Sequence, residues 1–208
     1  ISKNINKYKI VITKSTVPVC TGDEVEKIIK KNNSVSKFDV VSNPEFLREG
    51  EAIRDFRYPD RIVIGSNNLE KTKPVLEKLY EPITKKGAKL IATTRRSSEL
   101  IKYAANAFLA TKITFINEIA NLCEQVGSNV EDIAIGIGTD ERIGSRFLRV
   151  GPAYGGSCFP KDTKALTKIG NKFKTNMSVV KSVINSNEKR KSLLADKILK
   201  ILGNPKNK

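Results

Sequence analysis

The 208-residue sequence contains no histidine and no tryptophan, and it has only three cysteines, at positions 20, 123 and 158. Without histidine, Cys–His and Ser–His catalytic pairs are excluded and a zinc site is disfavoured, so we predict no metal site. The cysteines show no CxxC spacing, which favours reduced thiols in an intracellular protein. A nucleophilic cysteine here would need activation by lysine, a carboxylate, backbone N–H groups or water.

Long apolar runs are also missing. No stretch of eighteen apolar residues occurs, so the sequence predicts no membrane span. The first residues, ISKNINKYK, are polar and basic without an apolar segment behind them, which argues against a secretory signal. These features predict a cytoplasmic protein.

The formal net charge of +16 raises the question of nucleic-acid binding. However, the lysines are spread along the chain, and no basic stripe is interleaved with aromatic residues. We therefore predict a solvated basic surface and no nucleic-acid partner, and such a surface would also attract a polyanionic small substrate. A non-catalytic basic module that binds nucleic acid or a partner protein remains the alternative class.

Short apolar segments alternate with helical patterns in the first part of the chain. The predicted strands lie at 8–13, 38–41, 61–65 and 89–92. Helical patterns follow Thr21 and cover 69–80, where Pro74 fits poorly. The alternation predicts a parallel sheet with helices on its faces.

The pattern changes near Thr93. Residues 97–126 contain neither glycine nor proline, and Gly127 is a typical helix stop, which predicts one long helix. A second long helix is predicted over 177–202. Since the first of these is apolar on more than one side, we expect it at a bundle core or a subunit interface. The chain thus divides into an α/β part, 1–92, and a helical part, 93–208.

The segment GPAYGGSCFPKD, 151–162, contains three glycines and two prolines and predicts a shaped loop. Pro160 suits a helix start, so Cys158 should lie where free N–H groups and the helix dipole favour a thiolate. Lys161 adds a nearby cation, and Asp162 lies within reach of the same position. A reactive cysteine is favoured over the alternative, a buried cysteine beside an ordinary turn.

Three further groups of residues are candidates for chemistry. In NPEFLREG, 43–50, a single helical turn capped by Asn43 would bring Glu45 and Glu49 onto one side. Lys102 and Asn106, four residues apart in the long helix, could together stabilise an oxyanion. Solvent-facing positions are the alternative for both pairs.

The third group is a set of arginines before the cysteine loop. It comprises Arg142, Arg146 and Arg149, whose guanidinium groups suit phosphate binding. In addition, the hydroxyls of Ser15 and Thr16 follow the first strand, where open α/β sheets bind ligands. A role for these two hydroxyls as caps or turn residues stays open.

Five motifs occur in one order along the chain: KSTVP, SNPEFLREG with YPDRIVIG, ELIKYAANAFLA, DERIG and GPAYGGSCFPKD. In these motifs the chain closely resembles the nucleotide-sugar dehydrogenases. The resemblance implies the C-terminal part of a Rossmann-like NAD-binding domain, followed by a helical dimerisation domain that carries the catalytic cysteine. It implies NAD-dependent four-electron oxidation of UDP-glucose to UDP-glucuronate, with another UDP- or GDP-sugar as the alternative substrate.

The same resemblance implies roles for the catalytic residues. Cys158 would attack the aldehyde to give a thiohemiacetal, which is oxidised to a thioester and hydrolysed. Lys102 and Asn106 would stabilise the oxyanion, with Lys102 also in proton transfer, and Glu45 would act in thioester hydrolysis. The residues that would hold the hydrolytic water are Thr16 and Asp162.

Binding residues are implied in the same way. The NAD contacts would be Ser15, Thr16, Val17, Glu49, Cys158 and Lys161. The nucleotide-sugar contacts would be Phe46, Leu47, Phe147, Arg149, Tyr154 and Gly155, together with Glu45, Glu49, Lys102 and Asn106. Arg142 would also be a substrate-binding residue, reaching into the site of the neighbouring subunit, which implies a homodimer or higher oligomer built on the long helix.

The chain also departs from the family pattern. The Gly-rich dinucleotide fingerprint is absent, and the chain starts at Ile1 rather than Met. The resemblance implies a preceding half-domain and a further domain after Leu202. We therefore expect this chain to be the middle of a longer enzyme and to be inactive alone.

Overall fold

The computed structural model describes residues 1–32 and 37–203. The strands are β1 (Lys9–Thr13), β2 (Phe38–Ser42), β3 (Arg61–Ser66) and β4 (Lys89–Thr93). The helices are α1 (Thr21–Asn32), α2 (Ala52–Arg57), α3 (Leu69–Thr84), α4 (Arg95–Val126), α5 (Val130–Gly138), α6 (Phe159–Lys172) and α7 (Ser178–Leu202), and a 3₁₀ turn covers Ser2–Asn4. The chain forms two compact units, one from residue 1 to 103 and one from residue 104 onward.

The first unit contains a four-stranded sheet in the order β1-β2-β3-β4. β1 and β2 are parallel, and so are β3 and β4. The α/β class is therefore confirmed, but the expectation of a fully parallel sheet is wrong, because β2 and β3 are antiparallel where Val41 faces Ser66.

The reversal has a physical cause in the segment between β2 and β3. A parallel crossover needs a helix that packs on the sheet. Here the connection contains only α2, which has six residues and is mostly exposed. Since no crossover helix is available in this connection, which the structure describes completely, β3 returns beside the end of β2.

The core of the first unit lies between the sheet and the helices α1 and α3. Val41, Ile64 and Leu76 are buried together, and Tyr80 of α3 joins them. Ile29 of α1 packs against Val40 of β2. Periodic apolar residues on α3 keep it on the sheet even though Pro74 and Pro82 lie inside the helix.

The start of α4 belongs to the first unit because buried charges bind it there. Glu99, which is 3% exposed, accepts hydrogen bonds from Cys20 N (2.7 Å), Gly22 N (2.8 Å) and Ser42 Oγ (3.0 Å). Arg95 forms ion pairs with Asp23 and Glu26. These contacts explain why the first compact unit extends to residue 103, whereas the proposed domain boundary lies near residue 93.

The second unit consists of the remaining turns of α4 with α5, α6 and α7. The two predicted long helices are confirmed, and α4 ends before Gly127, which has the positive φ (71°) of a helix stop. α5 was not predicted, although its cap Asn129 accepts a hydrogen bond from Glu131 N (2.9 Å). Ala110 of α4, Val183 of α7 and Tyr154 form the buried cluster beside the cysteine loop. No helix in the described ranges is long and apolar enough to cross a bilayer.

Candidate active site

Cys158 is the N-cap residue of α6. Its thiol is exposed, and Ser157 Oγ lies 3.6 Å from Cys158 Sγ. The carbonyl of Cys158 accepts the first helical bond, from Asp162 N (2.8 Å), and Pro160 is the second residue of the helix. Cys158 therefore lies at the N-terminus of a fourteen-residue helix, the end at which the helix dipole is positive.

Asp162, Asn106 and Lys161 meet next to this cysteine in the second unit. Asp162 is 1% exposed, and its Oδ2 accepts a hydrogen bond from Asn106 Nδ2 (2.6 Å). Lys161 Nζ lies 3.7 Å from Asp162 Oδ1, which has no hydrogen-bond donor among the described residues. A buried carboxylate with one open lone pair can hold a water molecule or a substrate hydroxyl.

Aromatic rings border the cysteine loop. Phe159 makes edge contacts with Phe147 and Tyr154, with ring centroids 6.2 and 6.1 Å apart. Phe147 has a φ of 66°, a left-handed conformation that is costly for a bulky residue and is held by its surroundings. Burial raises the pKa of Tyr154, so this phenol is neutral at physiological pH.

The arginine loop before the cysteine is anchored to α4. Lys112 Nζ donates to the carbonyls of Ile143 and Gly144, both at 2.9 Å. Arg142 is exposed and forms an ion pair with Asp140 (2.6 Å). Arg149 and Arg146 are also exposed. The loop thus presents guanidinium groups to solvent.

In the first unit, Lys102 and Glu45 come together. Lys102 is 4% exposed, and its Nζ lies 3.6 Å from Glu45 Oε1 and 5.2 Å from the centroid of the Phe46 ring. Glu45 Oε2 accepts a hydrogen bond from Leu47 N (2.7 Å). The Arg61 guanidinium lies 4.0 Å from the centroid of the same Phe46 ring.

Lys102 and Asn106 are both buried and lie one turn apart on α4. The alternative in which they simply face solvent is therefore wrong.

The prediction of a helical turn over residues 43–50 is wrong. Residues 43–48 have no regular structure, and the helix begins only at Ala52. Asn43 is not a helix cap, because its Nδ2 donates to Val63 O (2.7 Å) and thus binds β3. Glu49 is exposed in the following turn, so it does not share a helical face with Glu45.

Sequence reasoning missed Lys14. Its Nζ donates to Asn43 Oδ1 (3.0 Å) and to the Tyr80 hydroxyl (3.3 Å), and that hydroxyl also donates to Asn43. Desolvation lowers the pKa of Lys14, and the charge of Glu45 opposes part of that change. Lys14 directly precedes Ser15, Thr16 and Val17, so a lysine within KSTVP was the available signal.

The structure therefore assembles two groups of candidate residues, one in each unit. The first contains Glu45, Phe46, Leu47 and Lys102, with Ser15, Thr16 and Val17 at the end of β1. The second contains Asn106, Phe147, Tyr154, Cys158, Lys161 and Asp162, with Gly155 in the same loop. Within residues 1–32 and 37–203, no group of three or more cysteine, aspartate or glutamate side chains could hold a metal ion.

Two models of one protein family match the chain. Residues 1–84 match the NAD binding domain of the UDP-glucose/GDP-mannose dehydrogenase family, and residues 96–189 match its central domain. Because the two matches together cover most of the chain in the family's order, the chain belongs to the UDP-glucose/GDP-mannose dehydrogenase family.

Individual relatives are similar over almost the whole chain. UDP-glucose 6-dehydrogenase of Rhizobium meliloti (strain 1021) is 54% identical over 204 residues, which cover 98% of this chain and 47% of the relative. UDP-glucose 6-dehydrogenase TuaD of Bacillus subtilis (strain 168) is 49% identical over 207 residues, covering 99% of this chain and 44% of the relative. The chain spans about half the length of these curated relatives.

Solved structures agree with the fold. A UDP-glucose dehydrogenase from the hyperthermophilic archaeon Pyrobaculum islandicum is 38% identical, with a TM-score of 0.89 over 95% of this chain and 45% of the other. A GDP-mannose dehydrogenase from Pseudomonas aeruginosa is 32% identical, with a TM-score of 0.63 over 91% of this chain and 44% of the other.

Proposed function

We propose that this chain takes part in the NAD-dependent four-electron oxidation of UDP-glucose to UDP-glucuronate. The observation that carries the proposal is the exposed Cys158 at the N-terminus of α6, together with the buried Asp162 in the first turn of that helix, which is hydrogen-bonded to Asn106 of α4. The 54% identity to a UDP-glucose 6-dehydrogenase favours UDP-glucose over another UDP- or GDP-sugar. The reaction would take place in the cytoplasm.

The residues present fit a dinucleotide. The hydroxyls of Ser15 and Thr16 follow β1, and the parallel pairing of β1 with β2 brings the carboxyl ends of these strands to one edge. We assign NAD contacts to Ser15, Thr16, Val17, Glu49, Cys158 and Lys161. When bound, NAD accepts the hydride in each of the two oxidations.

Cys158 supplies the nucleophile. Its thiolate adds to the aldehyde carbon of the half-oxidised sugar, and a carbon–sulfur bond forms while the carbonyl oxygen takes up the negative charge. Lys102 and Asn106 stabilise that oxyanion with an ammonium and an amide N–H. After loss of the second hydride, the product on sulfur is a thioester.

Hydrolysis of the thioester uses the carboxylates. Asp162 and Thr16 hold the water, and Glu45 takes its proton as the carbon–oxygen bond forms and the sulfur leaves as thiolate. Glu45 Oε1 lies 3.6 Å from Lys102 Nζ, so the carboxyl group and the ammonium group act in the same place. No step requires histidine, in keeping with the composition.

We assign nucleotide-sugar binding to residues of the loop after β2, of the loop before α6 and of helix α4. The groups are Phe46, Leu47, Phe147, Arg149, Tyr154 and Gly155, together with Glu45, Glu49, Lys102 and Asn106. The exposed guanidinium groups and the net charge of +16 suit the binding of a diphosphate. The positive charge therefore does not require a nucleic-acid partner.

A homodimer through α4 forms part of the proposal. Phe108, Phe115 and Leu122 are 67%, 49% and 57% exposed, and their spacing of seven residues puts them on one face of the helix. Exposed apolar side chains at this spacing suit a second copy of the same helix. The exposed Arg142 would then be available to the partner subunit.

Replacement of the thiol tests the function. In the complete gene product, Cys158→Ser should abolish UDP-glucuronate formation, because a serine hydroxyl without a histidine base is a poor nucleophile. Cys20→Ser is the matched control and should retain activity. Unchanged acid formation by Cys158→Ser would refute the assignment of the nucleophile.

Two further measurements separate the alternatives. Residues 1–208 alone should produce no NADH from UDP-glucose, and steady production would contradict the expectation that the chain is inactive by itself. A salt-dependent shift with generic DNA, combined with no protection of Cys158 from alkylation by UDP-glucose, would favour the basic binding module instead.

A further inference from the structure

The loop before Cys158 is irregular, yet a side chain holds its backbone at Tyr154. Asn187 of α7, which is 1% exposed, accepts a hydrogen bond from Tyr154 N (2.8 Å) and donates one to Tyr154 O (3.1 Å). One carboxamide thus binds both polar backbone groups of one residue, as a neighbouring strand would. The position of Tyr154 is therefore fixed relative to α7.

A second attachment holds the beginning of the same loop. Gly151 N donates to Asn117 Oδ1 of α4 (2.9 Å), and Gly151 O accepts from Arg190 Nη2 of α7 (3.2 Å). Arg190 Nη1 also donates to Asn117 O (3.3 Å) and to Asn121 Oδ1. Arg190 therefore binds α4 and the loop together.

The placement of these polar residues is unusual for a helix interior face. The buried residues of α7 are Val180, Val183, Asn187 and Arg190, so its inner face changes from apolar to polar as it passes the loop. Buried polar groups destabilise a fold unless they are hydrogen-bonded. Here the hydrogen bonds of Asn187 and Arg190 go to the loop and to α4. These two buried residues of α7 therefore fix the conformation of the loop.

We propose that Asn187 is a positioning residue for nucleotide-sugar binding: it sets the location of Tyr154 and Gly155, while Asn117 and Arg190 fix Gly151. This inference rests on the proposed function, in which Tyr154 and Gly155 contact the substrate. Cys158 lies beyond two glycines, one of them Gly156 with a φ of 73°, and is held by α6. Loss of Asn187 should therefore affect substrate binding more than the reactivity of the thiol.

Amide hydrogen exchange tests the attachment without any activity. In the unmodified protein, Tyr154 N–H should exchange slowly although it lies in an irregular loop. In Asn187→Ala, exchange of the 151–157 peptide should become at least about tenfold faster, the effect of about one lost hydrogen bond. Exchange of Tyr154 N–H at the rate of an unprotected amide in the unmodified protein would refute the attachment. Equal exchange in a folded Asn187→Ala would refute it as well.

Kinetics of the complete gene product test the positioning role. With Asn187→Ala, the KM for UDP-glucose should rise about tenfold, with a smaller fall in kcat and an unchanged KM for NAD. Asn187→Leu, which keeps the volume without the hydrogen bonds, should behave alike and replaces the alanine variant if that variant does not fold. Asn185→Ala, an exposed position on the same helix, is the control and should match the parent.

The possible outcomes remain distinguishable. A fall in kcat in proportion to lost folded protein, with KM unchanged, would indicate a merely structural role and would refute the proposal. If the parent protein oxidises no nucleotide sugar, the proposed function fails, whereas the exchange measurement still decides whether Asn187 holds the loop.

Discussion

Asp162 carries a carboxyl group that almost entirely lacks solvent contact, and Asn106 supplies its hydrogen-bond donor. The pair matters because an uncompensated buried carboxylate destabilises a fold strongly. Asn106 therefore has a structural role in addition to the proposed stabilisation of the oxyanion. The two roles are separable, since one acts on folding and the other on the reaction.

We predict that Asn106→Ala lowers the free energy of unfolding by about 3 kcal/mol, because Asp162 loses the donor at Oδ2. Urea denaturation at neutral pH measures this change. Asn185→Ala, at an exposed position, should change the stability by less than about 0.5 kcal/mol. A similar small change for Asn106→Ala would show that Asp162 is stabilised in another way.

The attachment of the 43–50 loop to α2 depends on one ion pair. Asp55 accepts hydrogen bonds from Arg48 N and Nε, both at 2.9 Å, and from Arg48 Nη2 at 2.5 Å. The hydrogen bonds from the Arg48 side chain lower the pKa of Asp55 from 3.8 to about 2. Because the pKa is lowered in the folded state, the stabilisation is present above pH 3.8 and disappears as the pH falls through 2.

Asp55→Asn should therefore reduce stability by a constant amount between pH 7 and about pH 5. The difference from the parent should shrink as the pH falls from about 4 through 2, because the parent's carboxylate becomes protonated over this range. Thermal unfolding of the two proteins across this range measures the difference. A difference that stays constant down to pH 2 would contradict the assigned ionic contribution.

The contact between β3 and α4 is close because Gly65 has no side chain. A Cβ on Gly65 would lie 2.4 Å from Ser98 Cβ and 2.6 Å from Thr94 O. At Gly136 in α5, by contrast, a Cβ would point into open space. Gly65 should therefore not tolerate a side chain, whereas Gly136 should tolerate one.

Gly65→Ala should destabilise the protein by about 2–3 kcal/mol, since the start of α4 must move away from the sheet. Gly136→Ala should instead be neutral or stabilising by up to about 1 kcal/mol, because alanine favours a helix. The melting temperatures of the two variants, compared with that of the parent, show whether each substitution stabilises or destabilises the protein. A tolerated Gly65→Ala would mean that α4 adapts more easily than its buried ion pairs suggest.

The elements that local sequence could predict are those whose signal is periodic and long. The helices α4 and α7, the four strands and the position of Cys158 before α6 follow from apolar spacing, glycines and prolines. The antiparallel pairing of β2 with β3 could not be predicted in this way. It depends on whether the segment between these strands packs on the sheet as a helix. The same applies to Asn43, whose amide bonds β3 across twenty residues of sequence instead of capping a helix.

In the candidate site, too, some residues could be predicted from local sequence and others could not. The sequence motifs indicated Cys158, Asp162, Asn106, Lys102 and Glu45. The structure brings four of these into the contacts Asn106–Asp162 and Lys102–Glu45. Asn187 and Lys14 were missed because nothing local distinguishes an inward-facing polar residue from an exposed one. Their partners lie 33 and 29 residues away, so only the folded chain identifies them.

The exposed apolar face of α4 leads to a prediction about assembly. Phe115 lies midway between Phe108 and Leu122 on this face, so a charge there would be buried against the second copy without a partner. We expect the chain to sediment as a dimer and Phe115→Glu to sediment as a monomer at micromolar concentration. Leu79→Glu, at a 59% exposed position on α3, is the matched control and should remain dimeric. If Phe115→Glu also stays dimeric while folded, the contact between copies lies on another surface, and Arg142 would need a different route to a partner subunit.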